Sequence, residues 1–213
     1  LRKIVDDAIR NGAAIVPVGS GKHLQTGNRL MAANWWAVGS KFLEPRIDFS
    51  AEDMVVTASA GTTLGEIEER LAPHNQFLPI NPDGGPESTI GGVTAANLQG
   101  NYRTGFGMPR DRVIGMKMLL SNGDHIKGGG KVVKNVAGYD LCKLACGSFG
   151  TLGFITEVTL RTNPAPQSQR ILWYKCTSVD LALDAAEAIH MGLLLPGYVV
   201  IHAAKSQCVI EVG

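Results

Sequence analysis

The sequence predicts an α+β protein built from two unequal units. Three observations carry this. Short strand and helix patterns alternate with glycine loops as far as about residue 166. Pro164 and Pro166 then mark a break. Beyond the break the pattern reads strand, helix, strand, strand, the opening of a ferredoxin-like unit that stops before its second helix and last strand. The expected boundaries are 1–166 for the first domain, with subdomains of about 1–57 and 58–166, and 167–213 for a truncated second domain.

The elements follow in order. A helix runs to about Arg10 and ends at the Asn11-Gly12 turn. A buried strand, Ala13 to Val18, leads into the loop Gly19-Ser20-Gly21-Lys22-His23. A long irregular loop with Trp35 and Trp36 precedes the strand Met54 to Ala58. The next helix, about Leu64 to Ala72, opens on Thr63-x-x-Glu66, a capping box whose hydroxyl and carboxylate satisfy free N–H groups. Thr89 to Asn97 reads as a helix of small residues. Val113 to Leu120 and His125 to Lys127 flank Asn122-Gly123, a hairpin signal. A short helix from Tyr139 to Ala145 stops at Gly147, and Leu152 to Arg161 reads as a strand. After the break come strand Ile171–Cys176, helix Val179–Met191, and strands Tyr198–Ala203 and Gln207–Val212.

Composition narrows the function classes. Of 213 residues 45% are hydrophobic and 18% charged, and the net charge of +1 supplies no field to recruit nucleic acid or an anionic membrane. Met191 to Ala204, the most apolar stretch, is broken by Pro196 and Gly197, so no membrane span is read. Cys142, Cys146, Cys176 and Cys208 show neither a CxxC nor a histidine pairing, which points to thiols in a reducing compartment and to no metal. His190 and His202 likewise lack metal spacing. Glycine is the outlier: 26 residues, 16 of them between Gly84 and Gly153.

Those glycines gather in three loops. Residues 19–23 are not a Walker A loop, because His23 follows Lys22. They are not a Rossmann fingerprint, because Leu24 stands where the third glycine belongs. What remains is a strand end with amides available to an anion. The second loop, Asn81 to Gly92, joins a proline-rich run to Ser88, Thr89 and the pair Gly91-Gly92. The third is Gly147 to Gly153. Three such loops with little positive charge suit an extended, partly apolar dinucleotide held by main-chain amides.

Several runs extend the reading: Pro17-Val18-Gly19-Ser20-Gly21, Ala60-Gly61-Thr62-Thr63-Leu64, Thr89-Ile90-Gly91-Gly92, Ala95-Ala96-Asn97, Arg110-Asp111, Val132 to Leu141, and Gly147 to Gly153. In order and spacing they resemble the FAD-binding domain of the vanillyl-alcohol oxidase (PCMH-type) flavoproteins, nearest to the flavin subunits of bacterial glycolate oxidases. The resemblance implies two α+β subdomains clasping FAD under a ferredoxin-like cap. It assigns the pyrophosphate loop to Pro17, Val18, Gly19, Ser20, Gly21, Lys22 and His23. It assigns a second wall to Pro82, Asp83, Ser88, Thr89, Ile90, Gly91, Gly92, Ala96, Asn97 and Gly100. Contacts to the adenine-side half fall to Gly150, Thr151, Leu152, Gly153 and Ile155.

The first loop departs from the family's usual Pro-Arg-Gly-Gly-Gly-Thr. Lys22 would bring charge near a phosphate, and His23 lies one step from the position where some relatives carry a flavin-bearing histidine, so dissociable, non-covalent FAD is expected. No acid–base pair is evident; the catalytic candidates are Lys134, Asn135, Tyr139 and Arg110, with Arg103 and Arg112 as further attractors for a carboxylate. The resemblance implies oxidation of a 2-hydroxy acid such as glycolate, a second flavin subunit and an iron–sulfur partner subunit. A non-catalytic electron-relay or scaffold subunit, or an enzyme for another alcohol such as a sugar lactone, stays open. The expected location is the cytoplasm, with partners able to hold the chain at the inner face of the membrane.

Overall fold

The structure, a computed structural model, describes residues 1–26, 29–130, 140–192, 195–204 and 207–213. Helix α1 (Arg2–Arg10) turns its apolar side inward, and Val5 joins Val38, Leu119 and Phe154 in a small core. Gly12, at φ +59°, makes the turn into β1 (Ala14–Val18). This strand is only partly covered, not buried as its apolar run suggests, because among the described residues its one hydrogen-bonded strand partner is β2 (Trp35–Gly39), which lies parallel to it. The stretch expected as an irregular loop therefore holds β2 and also β3 (Ile47–Ser50), which pairs antiparallel with the next strand, β4 (Val55–Ser59). Strand β4 crosses position 57, the expected subdomain boundary.

Helix α2 (Leu64–Leu71) starts as its sequence dictates. The Glu66 amide donates to Thr63 Oγ1 at 3.2 Å and the Thr63 amide to Glu66 Oε2 at 2.7 Å. Beyond α2, β5 (Gln76–Phe77) precedes α3 (Ile90–Ala96), and the short helices α4 (Arg103–Phe106) and α5 (Pro109–Arg112) follow. The hairpin of β6 (Val113–Leu119) and β7 (His125–Gly129) turns at Asn122-Gly123, with Gly123 at φ +83°. Helix α6 (Leu141–Ala145) is capped by Asp140, which accepts from the Lys143 amide at 3.0 Å. Strand β8 (Phe154–Arg161) completes a five-stranded antiparallel sheet of order β3-β4-β8-β6-β7. Helices α2 and α3 cover it, and Val56, Ile67, Leu71, Ile90, Val93, Val158 and Leu160 form its core.

Pro164 does not yet belong to a free connection. With Asn163 it forms β9, which pairs with β5, and the Ala165 amide donates to the Asn75 carbonyl at 2.7 Å. A proline without an N–H is tolerated in so short a ladder. The C-terminal unit has β10 (Leu172–Cys176), α7 (Val179–Met191), β11 (Val199–Ala204) and β12 (Gln207–Val212), with sheet order β10-β12-β11. Strand β12 is antiparallel to both neighbours, the split β-α-β arrangement of a ferredoxin-like half. Ser178 caps α7 by accepting from the Leu181 amide at 3.2 Å. Tyr198 meets Tyr102 of the first unit with ring centroids 5.9 Å apart, and Tyr102 in turn packs edge-on against Phe77 and Phe106. Among the described residues no helix is long and apolar enough to cross a membrane.

Candidate functional site

The three glycine loops converge. The first meets the second at Gly19, where an added Cβ would stand 2.2 Å from Thr89 Oγ1 and 3.7 Å from the Gly92 Cα. The third meets the first at Gly150, whose φ of +76° brings the chain against the Pro17 ring. The third loop is also tied to α3: the Gly147 amide donates to the Thr94 carbonyl at 3.2 Å and the Phe149 amide to the Ala95 carbonyl at 2.8 Å.

A cleft opens where they meet. It is lined by Pro17, Val18, Gly19, Ser40, Ala60, Gly91, Gly92, Ala95, Phe149, Gly150, Gly153, Phe154 and Ile155, and none of these carries a charge. Ser40, Ala60, Ala95 and Phe149 were not expected there, and Phe154 falls within the expected 150–155 segment. Ala60 and Ala95 belong to runs that carry the family likeness. Ser40 has no sequence signal, because the fold of β2 brings it in.

The expected site residues divide into groups. Pro17, Val18, Gly19, Gly91, Gly92, Gly150, Gly153 and Ile155 meet in the cleft. Ser20, Gly21, Lys22 and His23 follow Gly19 along the chain and are not among the cleft's lining residues; among the described residues their amides find no acceptor. Gly21 takes φ +78°, which leaves Ser20 in an ordinary conformation. The Lys22 ammonium does not stand free for a phosphate: it donates to the Gly84 carbonyl and pairs with Glu87 Oε2 at 3.0 Å, joining the first loop to the second.

In the second loop, Thr89 caps α3 by accepting from the Gly92 amide at 3.4 Å, while the buried Ser88 hydroxyl has no partner. Ile90 is a core residue. Pro82 is buried and Asp83 exposed. Gly91 answers the chain itself: its amide donates to the Ala60 carbonyl at 2.9 Å, and a Cβ there would fall 2.6 Å from the Ala60 Cβ. Gly100 is likewise pressed against Asn81. Asn97, at φ +51°, ends α3 and accepts from the Arg110 amide at 3.0 Å, while Ala96 is half-buried beside it. Thr151 and Leu152 are exposed on the third loop.

Lys134, Asn135 and Tyr139 lie outside the described residues. Arg110 and Arg103 are exposed. Arg112 is not available to a carboxylate: its guanidinium donates to Asn163 Oδ1 at 2.5 Å and to the Phe106 carbonyl at 2.9 Å. Burial lowers its pKa, and Asp111 partly offsets that. Among the described residues no group of three or more His, Cys, Asp or Glu is placed to hold a metal ion.

A family model described as FAD binding domain matches residues 1–129. The chain belongs to the FAD binding domain family. Over 142 residues this FAD-binding chain is 41% identical to the glycolate oxidase subunit GlcE of Escherichia coli, covering 66% of this chain and 41% of that protein. It is 32% identical to the glycolate oxidase subunit GlcD of Bacillus subtilis over 182 residues, 85% of this chain and 38% of that one. It is 34% identical to a mitochondrial D-lactate dehydrogenase [cytochrome] of Arabidopsis thaliana over 190 residues, 89% of this chain and 33% of that one. The fold is similar to that of an alkyldihydroxyacetonephosphate synthase, with a TM-score of 0.80 at 18% identity over 99% of this chain and 44% of the other. The chain thus spans less than half the length of each of these proteins.

The residues present fit FAD. Ser40 sits in the cleft wall with a buried hydroxyl that has no partner. Buried polar atoms normally find partners, so this hydroxyl is a site that a polar ligand would satisfy. The apolar walls suit flat rings, and the unpaired amides of residues 20–23, next along the chain from Gly19, suit a pyrophosphate.

Proposed function

We propose that this chain is the flavin-carrying part of an FAD-dependent oxidoreductase acting on a 2-hydroxy acid, of the glycolate oxidase and D-lactate dehydrogenase type. The observation that carries the proposal is the convergence of three glycine loops on a cleft whose described lining bears no charge and includes the unpartnered Ser40 hydroxyl. The relatives named as glycolate oxidase subunits and D-lactate dehydrogenase support the substrate class. When bound, FAD supplies the two-electron oxidation of the alcohol carbon. The chain's own part is positional. The amides of Ser20 to His23 hold the phosphates, and Gly92 admits the cofactor close to the main chain. Phe149, Phe154 and Ile155 exclude water, and the Ser40 hydroxyl hydrogen-bonds a polar atom of the ligand. The units proposed for this work are residues 1–166 and 167–213. The FAD is held without a covalent bond.

A second reading rests on a specific observation: among the described residues no titratable side chain lines the cleft. It makes the chain an electron-relay subunit of a multi-subunit complex, with substrate oxidised on another flavin subunit and an iron–sulfur subunit taking the electrons on. Anaerobic mixing of the purified full-length protein with glycolate or D-lactate separates the two. Bleaching of the flavin by the isolated protein is expected for the first reading; bleaching only after the partner subunits are added contradicts it and supports the second.

A further inference from the structure

The C-terminal sheet carries a feature independent of the flavin cleft. Cys176 of β10 and Cys208 of β12 are directly opposed in the antiparallel register. Opposed residues of such a ladder have Cα atoms about 4.5 or 5.5 Å apart, and both spacings lie within the roughly 4.4–6.8 Å that a disulfide spans. Opposed side chains point to the same face of the sheet. Here that face is the one under α7, where both cysteines pack with Ala182. Both thiols are free, Cys208 buried and Cys176 half-buried. On its other flank Cys208 faces Ala203, so Cys176 is the sulfur across from it.

We propose that Cys176 and Cys208 are a peroxide-responsive thiol pair that closes to a cross-strand disulfide. The half-buried Cys176 meets the oxidant first. Its thiolate attacks one oxygen of hydrogen peroxide; an S–O bond forms, the O–O bond breaks, and one water leaves after protonation. The Cys208 sulfur then attacks the Cys176 sulfur, the S–S bond forms, and the second oxygen leaves as water. Two thiols lose two electrons and two protons, and one peroxide becomes two waters. The product ties the edge strand β10 to the central strand β12. An opposed, partly accessible pair of this kind stays reducible.

The other two cysteines provide the internal contrast. Cys142 and Cys146 lie four residues apart in and just after α6, both buried. Burial, and then the Asp140 charge, pushes the Cys142 thiol up to about 11. Burial, and then Cys142, pushes Cys146 up to about 12. Few thiolates form there at neutral pH, so this pair stays reduced under peroxide.

The test uses the full-length protein exposed to hydrogen peroxide, denatured in alkylating reagent and digested with trypsin. Alkylation at these four cysteines is expected to fall from all four to Cys142 and Cys146 alone. A cross-linked product should join the peptide that begins at Cys176 to the one that begins at Ser206, and a thiol reductant should restore both. In Cys208→Ser the cross-link should vanish, with Cys176 trapped as a sulfenic acid by dimedone. Should that variant fail to fold, Cys176→Ser serves instead, with Cys208 expected to remain reduced. Four alkylatable thiols after peroxide, or a cross-link between Cys142 and Cys146, or one found only between molecules, would overturn the proposal.

Discussion

The cleft beside the five-stranded sheet and the face of the three-stranded sheet treat polar groups differently. The cleft is lined by main chain, apolar side chains and the unpartnered Ser40 hydroxyl, and two cations of the same unit are held by other groups: Lys22 by Glu87 and the Gly84 carbonyl, Arg112 by Asn163 and the Phe106 carbonyl. On the three-stranded sheet, one face collects polar side chains that satisfy one another. Glu211 accepts from Tyr198 Oη at 2.8 Å and lies 2.8 Å from His202 Nε2, and Trp173 stacks on His202 at 5.7 Å. The difference teaches where to look for a ligand. A network that completes itself, such as the one around Glu211, has little left to offer. A cleft with the orphaned Ser40 hydroxyl in its wall, and unpaired amides in the loop that continues from it, is unfinished without an occupant.

The sharpest way to break this contrast uses neighbouring glycines with different duties. Gly91→Val drives a side chain into the Ala60 Cβ and carbonyl, 2.6 and 2.8 Å from where its Cβ would lie. Such overpacking should cost about 3 kcal/mol in a urea unfolding experiment. Gly92→Ala meets only Thr89 Oγ1, at 3.1 Å. Its stability should hold, while FAD affinity measured by flavin fluorescence falls about tenfold, or ~1.4 kcal/mol. If the two substitutions behave alike, the division between packing glycine and cleft glycine is wrong.

Smaller effects sharpen it. Thr63→Ala removes the capping box of α2 and should lower stability by about 1 kcal/mol. The main-chain bridge that joins this turn to Thr89, through the Leu64 and Ile90 amides, should survive the change. Lys22→Met breaks an exposed ion pair, so stability should move by less than about 0.5 kcal/mol. Dissociation of FAD, followed by stopped-flow fluorescence, should nevertheless quicken severalfold, because the Lys22 link between the first loop and the second is then lost. On the C-terminal sheet, burial first, and then the hydrogen bond and charge of Glu211, push the Tyr198 phenol up to about 12 from 10.0. Glu211→Gln should move its tyrosinate absorbance transition to lower pH, still above 10.0 because burial remains.

Much of the fold was legible because the signals were local. Thr63 and Glu66 announce α2, Asn122-Gly123 announces the hairpin, and the apolar spacing from Val179 to Met191 announces α7. Strands β2 and β3 were not legible. In β2, Trp35 and Ala37 are exposed while Val38 is buried, and the strand exists because β1 lies beside it, about twenty residues earlier in the chain. The site was legible as glycine loops but not glycine by glycine. A glycine required by a close ligand and one required by the chain's own backbone, as at Gly91 and Gly100, look the same in a sequence. The partners of Lys22, and Asn163 as a partner of Arg112, lie more than fifty residues away, so no spacing rule reaches them.

The most direct test is amide hydrogen exchange on the full-length protein, with and without saturating FAD. Slowed exchange should concentrate in residues 17–23, 85–92 and 147–153. Stoichiometric FAD binding with those three loops exchanging as they do in the free protein would contradict the account.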